Sequence, residues 1–237
     1  MGTPRDELIA EVLVTLTDTL RDDFDVADLL YTLTTACVEL LDVDEAGVLF
    51  VDEQGRLVPV AATHDGSEHL ERLQVLVRDG PCLDAVNANV SVASLDLDED
   101  EGRWPQFVRQ ARSEGFLSSH AEPVALRDEV VGGLGLFRRH PGPLPPGDQR
   151  IAQFLGTAAA VGILHRRAQR SVETVREQLE HALRSRVVIE QAKGFIAERH
   201  MLDVGTAFNR LRHHARSRSE SLSTVARAVI DGSLDIS

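Results

Sequence analysis

Cationic and hydroxyl side chains in the C-terminal part of the chain are the groups best suited to bind phosphates or base edges. Arg212 and Arg216 are four residues apart and therefore share one face of a helix. Backbone N–H groups at the start of a helix near 221–224 could add phosphate contacts. The candidate contacts are Lys193, Gly194, Arg212, Arg216, Arg218, Ser219 and Ser223. Spacing alone favours the plainer alternative, a solvated surface pair of arginines.

Charge is distributed unevenly along the 237 residues. The net charge is −13, but residues 1–165 hold 12 Lys/Arg against 29 Asp/Glu, whereas residues 166–237 hold 13 against 9. A net charge of this sign argues against a chain that coats nucleic acid, while the +4 balance of the C-terminal part permits a local contact. Of the 25 basic residues, only Lys193 is not arginine. We therefore expect a specific need for a slim ammonium group at that position.

Three short helical patterns must position these side chains. Their apolar stripes lie at 188–196, at 207–215 and at 222–230, and each is too short to be stable alone. Asp203 is the expected N-cap of the second helix, Ser221 or Ser223 that of the third, and Gly232 is expected to end it. Phe195 and Phe208 fall on the apolar stripes, so we expect both in the core.

A long helix is predicted to precede this segment. Apolar or small residues recur at 154, 158 and 161 and then every three or four residues, a spacing typical of a coiled-coil seam in which His165 also takes a position. The first half is expected to pack on the N-terminal domain, and the second half to pair with another copy of the chain. The predicted dimer seam is Ala168, Val172, Val175, Leu179 and Ala182. Two heptads with two alanines are weak alone, so the flanking domains must assist.

The N-terminal part predicts an α+β domain. Two amphipathic helices, the second capped by Asp25, precede a hairpin over 46–51 and 57–62. A helix over 68–77 ends at the Asp79-Gly80-Pro81-Cys82 break, and another begins near Trp104-Pro105. A second hairpin follows, with Gly132, Gly133 and Gly135 in its last strand. With a short helix over 83–87 and a strand over 90–95 between the two hairpins, the sequence predicts five strands among four or five helices.

Two resemblances emerge from these residues. The segment Ser185-Arg186-Val187-Val188-Ile189-Glu190-Gln191-Ala192-Lys193-Gly194, with Ala207-Phe208, Leu211-Arg212, Ala215, Leu222 and Val225-Ala226, resembles the ANTAR domain of bacterial antitermination regulators. The two helices, the hairpin, the Asp-Gly-Pro-Cys-Leu loop, the Arg-Trp-Pro-x-Phe element and the Gly-rich strand resemble a GAF domain of the actinobacterial GAF–ANTAR class. The resemblance implies a GAF-like antiparallel sheet flanked by helices over 1–165, a coiled-coil linker over 166–184, and a three-helix ANTAR bundle over 185–237.

The ANTAR resemblance also implies a mechanism. Such modules bind leader RNA with tandem hairpins whose apical loops share an A and a G. A homodimer that holds both hairpins keeps the second out of an overlapping terminator, so that RNA polymerase is affected only indirectly. Single-stranded loops expose base edges that a helical face with arginines can read.

The GAF resemblance implies a cup for a small ligand of unspecified identity. Its expected lining is Asp79, Gly80, Pro81, Cys82, Trp104, Phe107 and His120. Cys82 has two readings, a packed thiol or a redox-sensing thiol with a lowered pKa. Relatives often have a second Cys three residues later, where this chain has Ala85, which counts against a two-Cys switch. Cys37 is expected in the core.

Other classes of protein find little support. The sequence has no nucleophile elbow, P-loop or zinc motif, so we expect no enzyme, cofactor or metal. The longest nearly uncharged apolar run, 154–164, is too short to span a bilayer, and two distant cysteines fit a reducing compartment, so we expect a cytoplasmic protein. The remaining alternative is a small-molecule or redox-sensing GAF protein that acts through protein–protein interaction.

Overall fold

The computed structural model of the chain describes residues 4–17, 25–52, 54–169 and 175–236, with the side chains at 4, 6, 17, 169 and 175–184 excepted. It contains two compact units. The N-terminal unit comprises Met1–Thr19 and Leu29–Val175, and the C-terminal unit comprises Leu20–Asp28 and Arg176–Ser237. Among the described residues, no helix combines the length and the apolar character needed to cross a bilayer.

Two helices begin the chain, as the sequence predicts. Helix α1 is Pro4–Thr17 and helix α2 is Val26–Leu40. Asp25 is the N-cap of α2, since its Oδ1 accepts a hydrogen bond of 2.8 Å from the N–H of Ala27. The first three residues of α2 belong to the C-terminal unit and the rest to the N-terminal unit.

Five antiparallel strands form one sheet in the order β2-β1-β5-β4-β3. The strands are β1 (Glu45–Val51), β2 (Leu57–Ala62), β3 (Val92–Ser94), β4 (Ser118–Leu126) and β5 (Glu129–Arg138). Both predicted hairpins are confirmed. The first turns at Gly55, whose φ of 72° glycine adopts without steric cost. Because β5 lies between β1 and β4, its residues are buried almost throughout.

Three helices cover one face of the sheet. They are α3 (Asp65–Val77), α4 (Pro81–Ala88) and α5 (Pro105–Ser113). Their buried apolar side chains form one cluster with sheet residues such as Ala121 and Phe137. The short connections bend where the sequence predicts, since Arg78 is left-handed and Gly80 has a φ of 142° just before Pro81, the first residue of α4.

Helix α6 (Pro146–Gln169) differs from the expected packing. Its buried face is formed by residues such as Leu155, Ala159 and Ile163, whereas Phe154 and Val161 are 54% and 38% exposed. The prediction that the first half of the seam packs on the N-terminal domain is therefore wrong for these two side chains. The reason is that apolar residues cover a wide arc of α6, and β4 and α1 cover only the part that includes Leu155, Ala159 and Ile163.

The predicted dimer seam falls largely outside the described residues. Ala168 is exposed near the end of α6. Val172 lies outside the described residues, as do the side chains of Val175, Leu179 and Ala182.

The C-terminal unit contains the three predicted helices, α7 (Val175–His200), α8 (Val204–Arg218) and α9 (Leu222–Ile230). Asp203 caps α8 through Thr206 N–H, Ser221 caps α9 through Thr224 N–H, and Gly232 follows α9 with a φ of 74°. Phe208 is buried, but Phe195 is 43% exposed, so its prediction as a core residue is wrong. The buried stripe of α7 runs through Ile189, Ala192 and Ile196, and Phe195 lies at its edge.

Candidate nucleic-acid interface and sensor core

The basic residues of helix α8 are all in its C-terminal part, from Arg210 to Arg218. It carries four arginines and two histidines and has no Asp or Glu between Val204 and Arg218. Arg216 and Arg218 are exposed, and Arg212 is partly buried. Arginines in a last turn also stabilise the helix dipole, but this effect reaches only the final turn. Arg210 and Arg212 lie before that turn, so the dipole does not account for them.

Ser219 ends α8 in a left-handed conformation with a φ of 54°, and its side chain is exposed. Its N–H bonds back to the carbonyls of Ala215 and Arg216, which closes the end of the helix. Three predicted contact residues, Arg216, Arg218 and Ser219, are therefore together at one exposed helix end.

Lys193 is not offered to solvent, contrary to its expected role as an RNA contact. The residue is 5% exposed, and its Nζ lies 3.0 and 2.9 Å from the two carboxylate oxygens of Glu190. The same Nζ is 5.4 Å from the centre of the Phe208 ring, within the range of a cation–π interaction. Lys193 follows Ala192, and both residues are buried. The buried surface of α7 is therefore wider than the apolar stripe that the sequence predicts.

Gly194 is exposed on α7. A β-carbon built at this position meets no described atom within 4 Å outside its own helix. The described residues therefore give no packing reason for a glycine at this position. Close approach of a partner to the backbone remains the prediction, since a mid-helix glycine otherwise costs about 1 kcal/mol relative to alanine.

Ser223 is buried, so its predicted contact with phosphate is wrong for this conformation. Its hydroxyl oxygen lies 3.0 Å from the hydroxyl oxygen of Ser221 and 3.5 Å from Asp25 Oδ2. The same Asp25 Oδ2 accepts a 2.6 Å hydrogen bond from the Ser185 hydroxyl. The N–H of Leu222 donates to Asp28 Oδ2 at 2.9 Å. Carboxylates of the C-terminal unit itself thus occupy the positive end of α9. Sequence patterns did not reveal this contact, which joins positions about two hundred residues apart.

The predicted lining of the ligand cup is mostly packed in the core of the N-terminal unit. Cys82, Trp104 and Phe107 belong to the cluster on the α3–α5 face, and Gly80 and Pro81 are buried beside them. Trp104 and Phe107 meet edge to face with centroids 6.2 Å apart. Asp79 accepts a 3.4 Å hydrogen bond from the N–H of Gln106, in the first turn of α5. The structure therefore brings six of the seven predicted residues together. Five of them are packed in or beside the core, and Asp79 binds the first turn of α5, so they do not line an open cavity.

His120 lies apart from the other six. Directly paired residues in an antiparallel sheet share a face and successive residues alternate. Ala121 belongs to the α3–α5 cluster, so its neighbours His120 and Glu122 point to the opposite face. There, His120 Nε2 is 2.6 Å from Glu122 Oε1, and Ser91 donates to Glu122 Oε2 at 2.6 Å. The prediction that His120 lines the same cup is wrong.

Glu71, which sequence reasoning missed, is the most unusual group near this core. Its side chain is fully buried, with Gln74 Nε2 donating to Oε2 at 3.0 Å and the Cys82 thiol donating to Oε1 at 3.5 Å. Burial raises the pKa of Glu71 from 4.5 to about 8, although the Cys82 hydrogen bond acts against this shift. The carboxyl group is therefore largely protonated at neutral pH.

Glycines in the facing strands are the signal that would have located Glu71. A β-carbon on Gly135 would lie 2.3 Å from Glu71 Oε1, and one on Gly47 would lie 2.7 Å from Glu71 Cγ. The two glycines are paired neighbours on β5 and β1. They leave the space that the Glu71 side chain fills.

The environment of Cys82 supports its reading as a packed thiol. Burial, together with the neighbouring Glu71, raises the pKa of the Cys82 thiol well above its usual value. A redox-sensing thiol needs an accessible thiolate, which a lowered pKa provides. Cys37 is also fully buried, as expected.

The fold of the N-terminal part is shared with solved GAF domains. The GAF domain from Acinetobacter phosphoenolpyruvate-protein phosphotransferase aligns with a TM-score of 0.57 and 14% identity, covering 73% of this chain and 100% of that one. The corresponding GAF domain from Coxiella burnetii aligns with a TM-score of 0.51 and 16% identity, covering 72% and 100%. At these identities the likeness concerns the fold alone.

Family models assign both parts of the chain. The GAF domain model matches residues 25–164, more than half of the sequence, and the chain belongs to this family. The ANTAR domain model matches residues 177–230. No curated protein matches the sequence. The protein therefore combines a GAF sensor domain with an ANTAR domain.

Proposed function

We propose that the protein is a non-catalytic RNA-binding transcription antiterminator, which acts as a dimer under the control of its GAF domain. The observation that carries this proposal is the cluster of four arginines at 210–218 of α8, without an acidic residue in the helix, within a segment that matches the ANTAR family. In a chain of net charge −13, one helix with four arginines and no acidic residue is a local exception that phosphate binding explains.

The chemistry of α8 fits an RNA loop better than a duplex. The major groove of A-form RNA is too deep and narrow for side chains, whereas a loop presents unstacked bases between exposed phosphates. Arginine guanidinium groups can pair with phosphates through two parallel hydrogen bonds and can stack on bases. Arg212, Arg216 and Arg218 would contact the loop, with Ser219 adding a hydroxyl group and Gly194 admitting close approach.

One module presents one small basic face, so holding tandem hairpins requires two copies of the chain. The exposure of Phe154, Val161 and Ala168 on α6 supports a dimer, because these residues continue the seam spacing of residues 168–182 toward the N-terminus. The seam would then cover about four heptads instead of two, a length at which a coiled coil needs less help from the flanking domains.

Antitermination would follow from holding both hairpins. While the second hairpin is bound, its strands are not free to pair within an overlapping terminator, and polymerase reads through. The GAF domain would bias this state only to the extent that its ligand binds one conformation more tightly than the other. The alternative is a redox-sensing GAF protein that acts through protein–protein interaction. The Cys82 thiol argues against it, because this thiol is buried and its pKa is raised.

A terminator-readthrough assay with the full chain tests the proposal. The variant Arg212→Gln/Arg216→Gln/Arg218→Gln should abolish readthrough and weaken binding of a synthetic two-hairpin leader RNA more than a hundredfold at low salt. The matched control changes three exposed arginines of the N-terminal unit, Arg72, Arg109 and Arg150, to Gln. Equal RNA affinity of the two variants would refute α8 as the contact surface.

A further inference from the structure

The single lysine of the chain is buried in the ANTAR domain. Lys193 is 5% exposed, next to the fully buried Ala192, in a protein whose other 24 basic residues are arginines. Arginine carries a broad planar group with five donors, whereas lysine ends in a compact ammonium on a flexible stem. Arg138 and Arg186 are buried as well, so burial alone does not select lysine. A compact ammonium suits the position between the Glu190 carboxylate and the Phe208 ring, and this position needs no RNA contact.

The ammonium group joins two helices of the ANTAR domain. On α7 it contacts both oxygens of Glu190, one turn earlier, and on α8 it faces the ring of Phe208. The carboxylate neutralises the ammonium, and the aromatic ring attracts it through its quadrupole. An ammonium held in this way orients Phe208, and Arg212 follows Phe208 by one helical turn on the same face.

A buried and neutralised cation adds little to RNA affinity through counterion release. That effect requires a cation that replaces condensed ions at a phosphate. Lys193 would have to break both contacts with Glu190 and leave its buried position before it could do so.

We propose that Lys193 and Glu190 are positioning residues, which fix α7 against Phe208 of α8 and so set the direction of the α8 arginines without touching RNA. This inference rests on the proposed function for its effect on RNA binding. The contact between the two helices is independent of that function.

Salt dependence separates the two roles of a cation. A lysine that contacts a phosphate contributes about one to the slope of log affinity against log salt concentration, whereas a positioning residue changes affinity equally at every salt concentration. The experiment titrates the full chain with a synthetic two-hairpin leader RNA at several salt concentrations. Its variants are Lys193→Met, Lys193→Arg, Glu190→Gln and the double variant Lys193→Met/Glu190→Gln.

Lys193→Met should weaken binding about five- to tenfold with the slope unchanged, since the loss is one of geometry. Arg216→Gln, the control for a phosphate contact, should lower the slope by about one. Lys193→Arg should weaken binding as well, although it keeps the positive charge. Glu190→Gln keeps the packing and should reproduce part of the loss, and the double variant should be no weaker than Lys193→Met.

A slope that falls by about one in Lys193→Met, with thermal unfolding unchanged, would overturn the inference. So would additive effects of the Lys193 and Glu190 changes. If the unaltered chain does not bind the RNA, the proposed function fails. The positioning contact is then decided by whether the same two changes are coupled in thermal unfolding, and additivity there would overturn it.

Discussion

Glu71 in the N-terminal unit and Lys193 in the C-terminal unit are both withdrawn from water, but their surroundings differ. The polar contacts of Glu71 are an amide and a thiol, and its raised pKa keeps it largely neutral. Lys193 is paired with a carboxylate one turn away. A buried ionisable group must either lose its charge or have it compensated, because an isolated charge in a low-dielectric interior is very costly. The comparison indicates that the cluster around Glu71 holds this acid as a neutral hydrogen-bonding group, whereas the ANTAR domain holds Lys193 as a compensated charge.

The largest expected effect is on how the stability of the N-terminal unit depends on pH. Between pH 4.5 and about 8 the folded unit retains the proton of Glu71, whereas the unfolded chain has lost it, so the free energy of unfolding falls as pH rises. Over this pH range the free energy of unfolding should fall by about 5 kcal/mol. Glu71→Gln should remove this pH dependence, because glutamine does not titrate.

Trp104 is the only tryptophan and lies in the same core, so its fluorescence during urea unfolding measures this unit. Glu99→Gln, at an exposed position, is the matched control and should keep the profile of the unaltered chain. If the free energy of unfolding depends on pH in the same way for the unaltered chain and for Glu71→Gln, Glu71 is charged in the folded state. The contrast between a neutral Glu71 and a compensated Lys193 would then be wrong.

A second effect tests whether the glycines make room for the acid. Gly135→Ala places a methyl group 2.3 Å from Glu71 Oε1 and 2.9 Å from the Cys82 sulfur, so it should destabilise the N-terminal unit by roughly 1 to 3 kcal/mol. At Gly102 a β-carbon meets no described atom within 4 Å, and Gly102→Ala is the control. Equal urea midpoints for the two variants would mean that the strand shifts without cost.

A smaller effect is expected at the start of α9. Asp28→Ala removes the acceptor of the Leu222 N–H and should cost about 1 kcal/mol, seen as faster hydrogen exchange at Leu222. Asp231→Ala removes a carboxylate from the opposite end of the same helix and should leave that exchange unchanged or slightly slower. Faster exchange in both variants would indicate a general charge effect.

The smallest effect has the opposite sign. Gly194→Ala should stabilise α7 by somewhat less than 1 kcal/mol in thermal melts followed by circular dichroism, since its surroundings are open. RNA affinity should nevertheless fall, because the added methyl group separates the backbone from its partner. Unchanged affinity would remove Gly194 from the proposed interface.

Local signals explain why much of the fold was predictable. The caps at Asp25, Asp203 and Ser221 are confirmed, because a cap involves residues two or three positions apart. Both hairpins are confirmed for a similar reason, since short turn sequences with glycine or Asp join strands of clear periodicity.

Properties that depend on tertiary contacts were predicted less well. Phe195 and Phe154 lie on helical stripes that periodicity identifies as apolar, but the neighbouring elements decide which part of a wide stripe is covered. His120 was assigned to the wrong face because a shift of one residue along a strand reverses the face. The burial of a charged residue depends on its partners. For Glu71 the glycines of the facing strands were an available signal, whereas no local pattern indicated that Lys193 is buried.

The start of α2 bears on how such proteins can be recombined. Asp25 and Asp28 belong to the C-terminal unit, where they contact Ser185, Ser223 and the Leu222 N–H, although the ANTAR match begins at residue 177. A fragment cut at that boundary would lack a piece of its own structure. Grafting this RNA-binding module onto another sensor would therefore require two separate stretches of sequence, so the gene cannot be divided between its two domains by a single crossover.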